Sequence, residues 1–448
     1  MTENPTDTFA REKDRFDQIE GRILGAASPG IRPGLSRMAR LCRALGHPER
    51  TFAAIHVLGT NGKGSVCAAL DSILRESGYR TARYTSPHLD HIGERLTFDG
   101  KTLDPKAWEE ALARVLAAIR NDPLLCEDPP SVFEILTALA FLLISRGERD
   151  IAIIEAGLGG RLDATNLLGD VRMTVLTPIG LDHQDILGLG IERIALEKIS
   201  AMRPGVEIVG PELDGSLSDL VESRAKRLGN LFSALGRDAF LESSVSGLQG
   251  STFNLSRPGQ PPIRLTTPLL GNHQVGNAGL AALACLRLSS RWPRITMESI
   301  GRGLEKTSWP GRLERIPLDP PVLLDGAHNP HGAEALSRAL RGLWPNVRPN
   351  IVMAVMKDKD IDGILEALSK IGGGGLFCTE IQGLDRCKEA AGLAAEAIAL
   401  PWPGPVKAIP DPGEALTEAM REAPLVVCTG SLYFIGSIRR LLLERVRG

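Results

Sequence analysis

Short apolar runs that end on glycine and polar residues alternate along this chain with stretches in which apolar positions recur at helical spacing. Residues 55–58, 80–86, 151–155 and 173–178 read as strands, and 35–45, 66–77, 106–120, 131–145 and 191–202 as helices. The run Ile151-Ala-Ile-Ile-Glu155 is apolar on both faces, which marks a central parallel strand, and it ends on a carboxylate. Residues 211–270 differ. Glycine, serine and proline are frequent there, and the alternating runs 252–255 and 263–265 predict antiparallel strands at an edge. From about residue 311 a second alternation begins, with strands expected at 322–325, 351–355, 375–378 and 425–429.

Polar and glycine residues collect after the strand ends, the signature of an α/β protein with its site at the carboxyl edge of a doubly wound, mainly parallel sheet. A small antiparallel edge region and a second, Rossmann-like α/β domain complete the expected fold. The boundary is placed near Trp309-Pro-Gly311, giving domains of residues 1–308 and 309–448. Residues 1–10 read as a disordered lead-in.

A length of 448 residues exceeds one ordinary core and makes two or three domains the expectation, of which the pattern delimits two. With 43% hydrophobic and 24% charged residues and a net charge of −2, the chain reads as globular, with no electrostatic footprint for nucleic acid or membrane. An anionic ligand must then be met by local groups. Seven cysteines without a CxxC pair argue against a disulfide framework, and no apolar stretch reaches membrane-spanning length. A cytoplasmic protein is expected.

The first strand opens into Gly59-Thr-Asn-Gly-Lys-Gly-Ser65. Glycines there let backbone N–H groups close around phosphate oxygens at a helix N-terminus, Lys63 supplies positive charge, and Ser65 offers a hydroxyl to Mg²⁺. The spacing departs from G-x-x-x-x-G-K-[ST], because Gly64 stands between the lysine and the hydroxyl, so this is a variant P-loop. Glu155, His183 and Asp182 also fall at strand ends. With Ser65 they suit Mg²⁺ ions bridging nucleotide and substrate, although Glu155 alone is as readily an ion-pair or cap group and a lone histidine is more often structural.

Six motifs then appear in order: Gly59 to Ser65, Thr85-Ser-Pro-His88, the segment from Glu155 to Asn166, Gly180-Leu-Asp-His183, Pro310-Gly-Arg-Leu-Glu314 and Asp325-Gly-Ala-His-Asn-Pro330. Over nearly its full length the sequence resembles the folylpolyglutamate synthase and dihydrofolate synthase family of the Mur ligase superfamily, and the Gly-Lys-Gly-Ser form is similar to its folate branch. The resemblance implies an acid–amino-acid ligase that adds L-glutamate to folates, and to dihydropteroate if it is bifunctional, through an acyl phosphate. It implies ATP as substrate, a pair of Mg²⁺ ions, small-molecule partners only, and a monomer. Lys63, His183, Lys198 and His328 are its catalytic positions. Gly59, Thr60, Asn61, Gly62, Lys63, Gly64, Ser65, Asn277, Arg312 and Asp325 are its ATP positions, with His273 and Gln274 beside Asn277. Ser65, Glu155, His183 and a carbamylated Lys198 are its metal ligands. Ser86, Pro87, His88, Ser131, Phe133, Arg161 and Asp163 are its pterin positions. From the residues alone, Lys198 is also a solvated helix lysine, Phe133 a core residue and Asp163 a partner for Arg161. A Mur-type ligase acting on a uridine-nucleotide peptide and a non-catalytic ATP-binding switch are the competing readings.

Overall fold

The computed structural model describes residues 5–421 and 423–447. Its first sheet is formed by β1 (Ala53–Leu58), β2 (Thr81–Tyr84), β3 (Leu96–Phe98), β4 (Lys101–Thr102), β5 (Ile151–Glu155), β6 (Asp170–Leu176), β7 (Glu207–Pro211) and β8 (Phe232–Leu235). The order is β4-β3-β2-β5-β1-β6-β7-β8, parallel from β2 to β8 and antiparallel only at the β2–β3–β4 end. Successive residues of β1 and β5 serve opposite faces. Ala54, Ala152 and Ile154 pack into one core with the helices Pro105–Asn121 and Val132–Arg146. Ile55, Val57, Ile151 and Ile153 pack into another with the helices Lys63–Glu76 and Asn272–Leu288. Burial on both faces is why these strands read as continuous apolar runs.

The antiparallel region is a separate sheet of β9 (Phe240–Gly247), β10 (Gly250–Arg257) and β11 (Gln260–Thr267). The second large sheet holds β12 (Glu314–Ile316), β13 (Val322–Leu324), β14 (Asn350–Met353), β15 (Leu376–Cys378), β16 (Val406–Ala408) and β17 (Val426–Thr429), in the order β12-β13-β17-β14-β15-β16. All four strands expected in this half are present. The short edge strands β12 and β16 were not legible, because the exposed and mixed positions of Glu314–Ile316 and Val406–Ala408 leave no apolar run to read.

Two expectations need correction. Residues 211–235 add a helix, Gly215–Leu228, and the parallel strand β8, so the antiparallel region begins only at Phe240. The disordered lead-in expected over 1–10 lies outside the described residues for 1–4, and a helix runs from Pro5 to Ala26. No helix among the described residues is long and apolar enough to cross a membrane.

Candidate active site

Adjacent strands β5, β1 and β6 end on one cleft of ≈ 420 Å³, whose other wall is built by residues 325–328 after β13. The strand order turns at β1, where open α/β sheets place their ligands. Gly62 takes φ 84° and leads into the helix Lys63–Glu76. A Cβ at Gly62 would lie 2.4 Å from Asn277 Oδ1, so glycine lets the helix Asn272–Leu288 stand against the loop. Lys63 Nζ donates to the Thr60 carbonyl at 3.0 Å. Ser65 Oγ is buried and has no hydrogen-bond partner among the described residues. Such an orphan costs about 1–3 kcal/mol, a deficit that a bound ion or phosphate oxygen removes.

Glu155 ends β5 inside the protein and accepts the Ser86 N–H at 3.0 Å. Burial pushes its carboxyl upward, while Lys63, the Ser86 N–H and Arg312 oppose this. His183 follows β6 at φ 51°. Burial, against the pull of Asp182, brings its imidazole down to about 4, so the ring is neutral at neutral pH and has a lone pair for a metal.

Lys198, on the helix Ile191–Ile199, is 4% exposed and donates to the Gly59 carbonyl at 2.7 Å. Burial, then the charge of Lys63, lowers its amine from 10.5 to about 7. The solvated-lysine alternative is therefore excluded. The glycine-rich segment after β5 brings this helix close: a Cβ at Gly160 would lie 2.7 Å from the Lys198 carbonyl oxygen.

From the second sheet, Asp325 accepts the N–H groups of Leu313 and Ala327, both at 2.9 Å. Arg312 has its guanidinium lowered by burial, against Asp325 and Glu155. His328 Nδ1 lies 2.8 Å from the Gly326 carbonyl and Nε2 lies 3.7 Å from Asp182 Oδ2.

Asp182 ties the walls together. Its carboxylate meets Lys359 Nζ at 2.9 Å and the Asn329 amide at 2.9 Å. Burial alone would raise this carboxyl, but the adjacent His328, His183 and Lys359 hold it well below the usual carboxylate range. With both oxygens engaged, Asp182 bridges the walls. Asn61 also crosses the cleft, donating to Asn329 Oδ1 at 3.2 Å and lying 2.7 Å from His331 Nδ1.

The expected residues of the loop, with Ser86, Pro87, Glu155, His183, Lys198, His273, Gln274, Asn277, Arg312, Asp325 and His328, all line this cleft. Five of the expected pterin positions do not, and each has a local partner. His88 is buried, accepts Arg95 Nε on Nδ1 at 3.0 Å, and is held down to about 3 by burial and then by Arg95. Ser131 caps the helix Val132–Arg146 in a capping box with Glu134. Phe133 sits behind the cleft wall, its ring 2.4 Å from where a Gly157 Cβ would stand. Arg161 pairs with Glu197 at 2.9 Å rather than with Asp163. Asp163 is buried and accepts the Leu158 N–H at 2.7 Å and the Thr165 N–H at 3.0 Å.

Sequence reasoning missed Lys359, His331 and the bridging role of Asn329. Asn329 stands in the Asp325-Gly-Ala-His-Asn-Pro330 motif, whereas Lys359 lies among alternating charges at 357–360, where nothing local marks it as a partner for Asp182. No cluster of three or more His, Cys, Asp or Glu suited to a metal occurs among the described residues. The donors that do converge, an orphaned hydroxyl, a buried carboxylate and a neutral imidazole, fit a Mg²⁺ ion that keeps waters and takes phosphate oxygens.

A cleft between two α/β sheets, with a P-loop on one wall and Asp325 to His328 on the other, is the architecture of a Mur-type ligase, and the family model described as "Mur ligase, glutamate ligase domain" matches residues 311–432. The chain is 34% identical to the dihydrofolate synthase/folylpolyglutamate synthase of Bacillus subtilis, over 97% of this chain and 100% of that protein. It is 32% identical to the corresponding Escherichia coli enzyme, over 93% of this chain and 92% of that one. The structure of Mycobacterium tuberculosis folylpolyglutamate synthase complexed with ADP superposes with TM-score 0.86 at 29% identity, covering 96% of this chain and 99% of that one. E. coli FolC in complex with DHPP and ADP superposes with TM-score 0.84, also at 29% identity, covering 96% and 98%. The chain belongs to the folylpolyglutamate synthase/dihydrofolate synthase family.

Proposed function

We propose that this chain is an ADP-forming ligase that joins L-glutamate to a folate, with dihydropteroate as a second acceptor. The observation that carries this reading is the convergence of Lys63, Ser65, Glu155, His183 and Lys198 with Arg312, Asp325 and His328 on one cleft. ATP lies with its phosphates on Gly59 to Ser65, its base beside His273 to Asn277, and Asp325 and Arg312 closing over it from the other wall. The acceptor carboxylate attacks the γ-phosphorus and ADP leaves, giving an acyl phosphate. The glutamate amine attacks the acyl carbon, phosphate departs, and the amine's proton passes to a base.

Two anions meet in the first step. Lys63 and Arg312 offset that repulsion in a site where burial strengthens their fields. Ser65, Glu155, His183 and a carbamylated Lys198 would hold Mg²⁺, which supplies further charge screening at the phosphates. The near-neutral Lys198 amine fits that modification: it attacks CO₂, loses a proton, and turns from a would-be cation into a carbamate with two oxygens. His328, steadied by the Gly326 carbonyl, faces the cleft beside Asp182 and is placed to take the amine's proton. Closure between the walls protects the acyl phosphate from water.

The pterin enters beside Ser86 and Pro87, against the wall that Phe133 backs through Gly157. The test is incubation of the chain with ATP, Mg²⁺, labelled glutamate and either dihydropteroate or a reduced folate, with products read by mass spectrometry. Glutamate-dependent mass additions on both acceptors are expected. ATP turnover without any glutamate adduct would overturn the reading.

A further inference from the structure

The glycines of the loop are not glycine for one reason. Gly59 and Gly62 take φ of 140° and 84°, where an L side chain is strained. Gly64 lies inside the first turn of the helix Lys63–Glu76 and has no positive φ. Its backbone therefore suits alanine, the better helix former. What excludes a side chain is the indole of Trp309: a Cβ on Gly64 would lie 2.7 Å from Cζ2 and 2.9 Å from Cε2 and Nε1.

The indole is held from another side as well. The Arg83 guanidinium carbon lies 5.0 Å from the ring centroid, and Arg83 lies 3.6 Å from the fully buried Asp71. Asp71 belongs to the same helix as Gly64, so that helix grips Trp309 directly at its first turn and through Arg83 about two turns further on. The segment leading to Trp309 follows that helix too. A Cβ at Gly303 would lie 2.4 Å from Ile73 Cα, and Ser77 Oγ meets Ser299 Oγ at 2.8 Å. Trp309 Nε1 and Arg83 Nε are buried with no hydrogen-bond partner among the described residues, so packing and cation–π attraction hold the stack. Just beyond Trp309 the chain turns at Gly311, φ 72°, and delivers Arg312 into the cleft.

We infer that Trp309 is a positioning residue that sets the distance between the phosphate-binding loop and Arg312, and that position 64 is glycine to admit its indole. The inference rests on the nucleotide reading of the cleft given above. A side chain at 64 displaces either the loop or the connection that carries Arg312.

The test measures kcat and KM for ATP in Gly64→Ala, Trp309→Phe and the double variant, with circular dichroism and thermal unfolding confirming each fold. Phenylalanine keeps a ring over Arg83 and removes the indole edge that faces Gly64. Gly64→Ala is expected to lower kcat/KM by at least about tenfold, mainly through KM, and Trp309→Phe by less than about threefold. The double variant is expected to return to within about threefold of Trp309→Phe. ADP is expected to change the tryptophan fluorescence of the wild type, and this change is lost in Trp309→Phe while calorimetry still records binding. Losses that simply multiply in the double variant overturn the inference, since the phosphate itself would then require glycine. Independently of Gly64, Trp309→Ala is expected to raise KM for ATP at least about fivefold, and a wild-type KM overturns the inference. A wild-type chain that binds ADP but ligates no glutamate overturns the functional reading instead, and the ADP affinities of the same variants then judge the role of Trp309.

Discussion

A lysine with 4% exposure and a backbone carbonyl as its acceptor is an unusual residue, and Lys198 is kept there by its neighbours rather than by its own helix. Burial lowers its amine from 10.5 to about 7, and the sign of this shift gives a prediction. Below pH 7 the ammonium form dominates and does not attack CO₂; above it the neutral amine dominates, so carbamate formation rises with pH. Enzyme depleted of CO₂ is expected to lose ligase activity and to regain it with added bicarbonate, faster at pH 8 than at pH 6. Labelled bicarbonate is expected to give a carbamate carbon signal by NMR that is missing in Lys198→Arg. That variant keeps a charge that cannot be removed, and its kcat/KM is expected to fall by roughly 100-fold. Full activity in Lys198→Arg sinks the modified-lysine role.

At the scale of one element, the helix Val132–Arg146 separates what a pattern reveals from what geometry decides. Its apolar run was legible, and so was its start at a serine. Ser131 resembled a pterin position, yet its Oγ accepts the Glu134 N–H at 3.3 Å while Glu134 reaches back to the Ser131 N–H at 2.7 Å. Ser131→Ala is expected to reduce stability by about 1 kcal/mol in urea unfolding and to leave the acceptor KM within about twofold. A large rise in KM with unchanged stability would restore the ligand role. The neighbouring Phe133 is half-buried and stands behind Gly157, a placement that only the packing of this helix on the segment after β5 produces.

At the scale of the molecule, Asp182 gathers one set of polar contacts across the cleft between the two large sheets. Its ion pair with Lys359 joins side chains that are each 10% exposed, so removing one partner leaves a poorly solvated charge. Lys359→Met is expected to loosen closure and uncouple the reaction: phosphate release measured against glutamate incorporated should exceed one, where the wild type gives one. A ratio that stays at one shows that closure does not depend on this pair. Acid stability is a second property of the whole fold. Burial holds His56 and His88 down to about 3 from the ordinary 6.5. Above pH 6.5 both are neutral folded or unfolded and contribute nothing. As pH falls from 6.5 toward 3, the unfolded chain takes up protons that the folded chain refuses, and stability drops by about 1.4 kcal/mol per pH unit for each histidine. Between pH 7 and 5 that is about 2 kcal/mol each, and His56→Gln is expected to remove one such share from the loss seen by urea unfolding.

The sequence by itself determined the alternation of elements, the variant phosphate loop and the ordered motifs, because both-faced burial writes continuous apolar runs and a phosphate cradle needs glycine, lysine and a hydroxyl close together in the chain. Those signals are local. The tertiary structure decided how residues far apart in sequence share the cleft: Asn277 against Gly62, Lys198 against the Gly59 carbonyl, and Lys359 on Asp182. It also decided which motif residues serve local structure, since Ser131, Asp163 and Arg161 show their partners only once folded. The reason for Gly64 belongs to the same group. Its backbone asks for no glycine, and only the fold brings the Trp309 indole to where a side chain would stand.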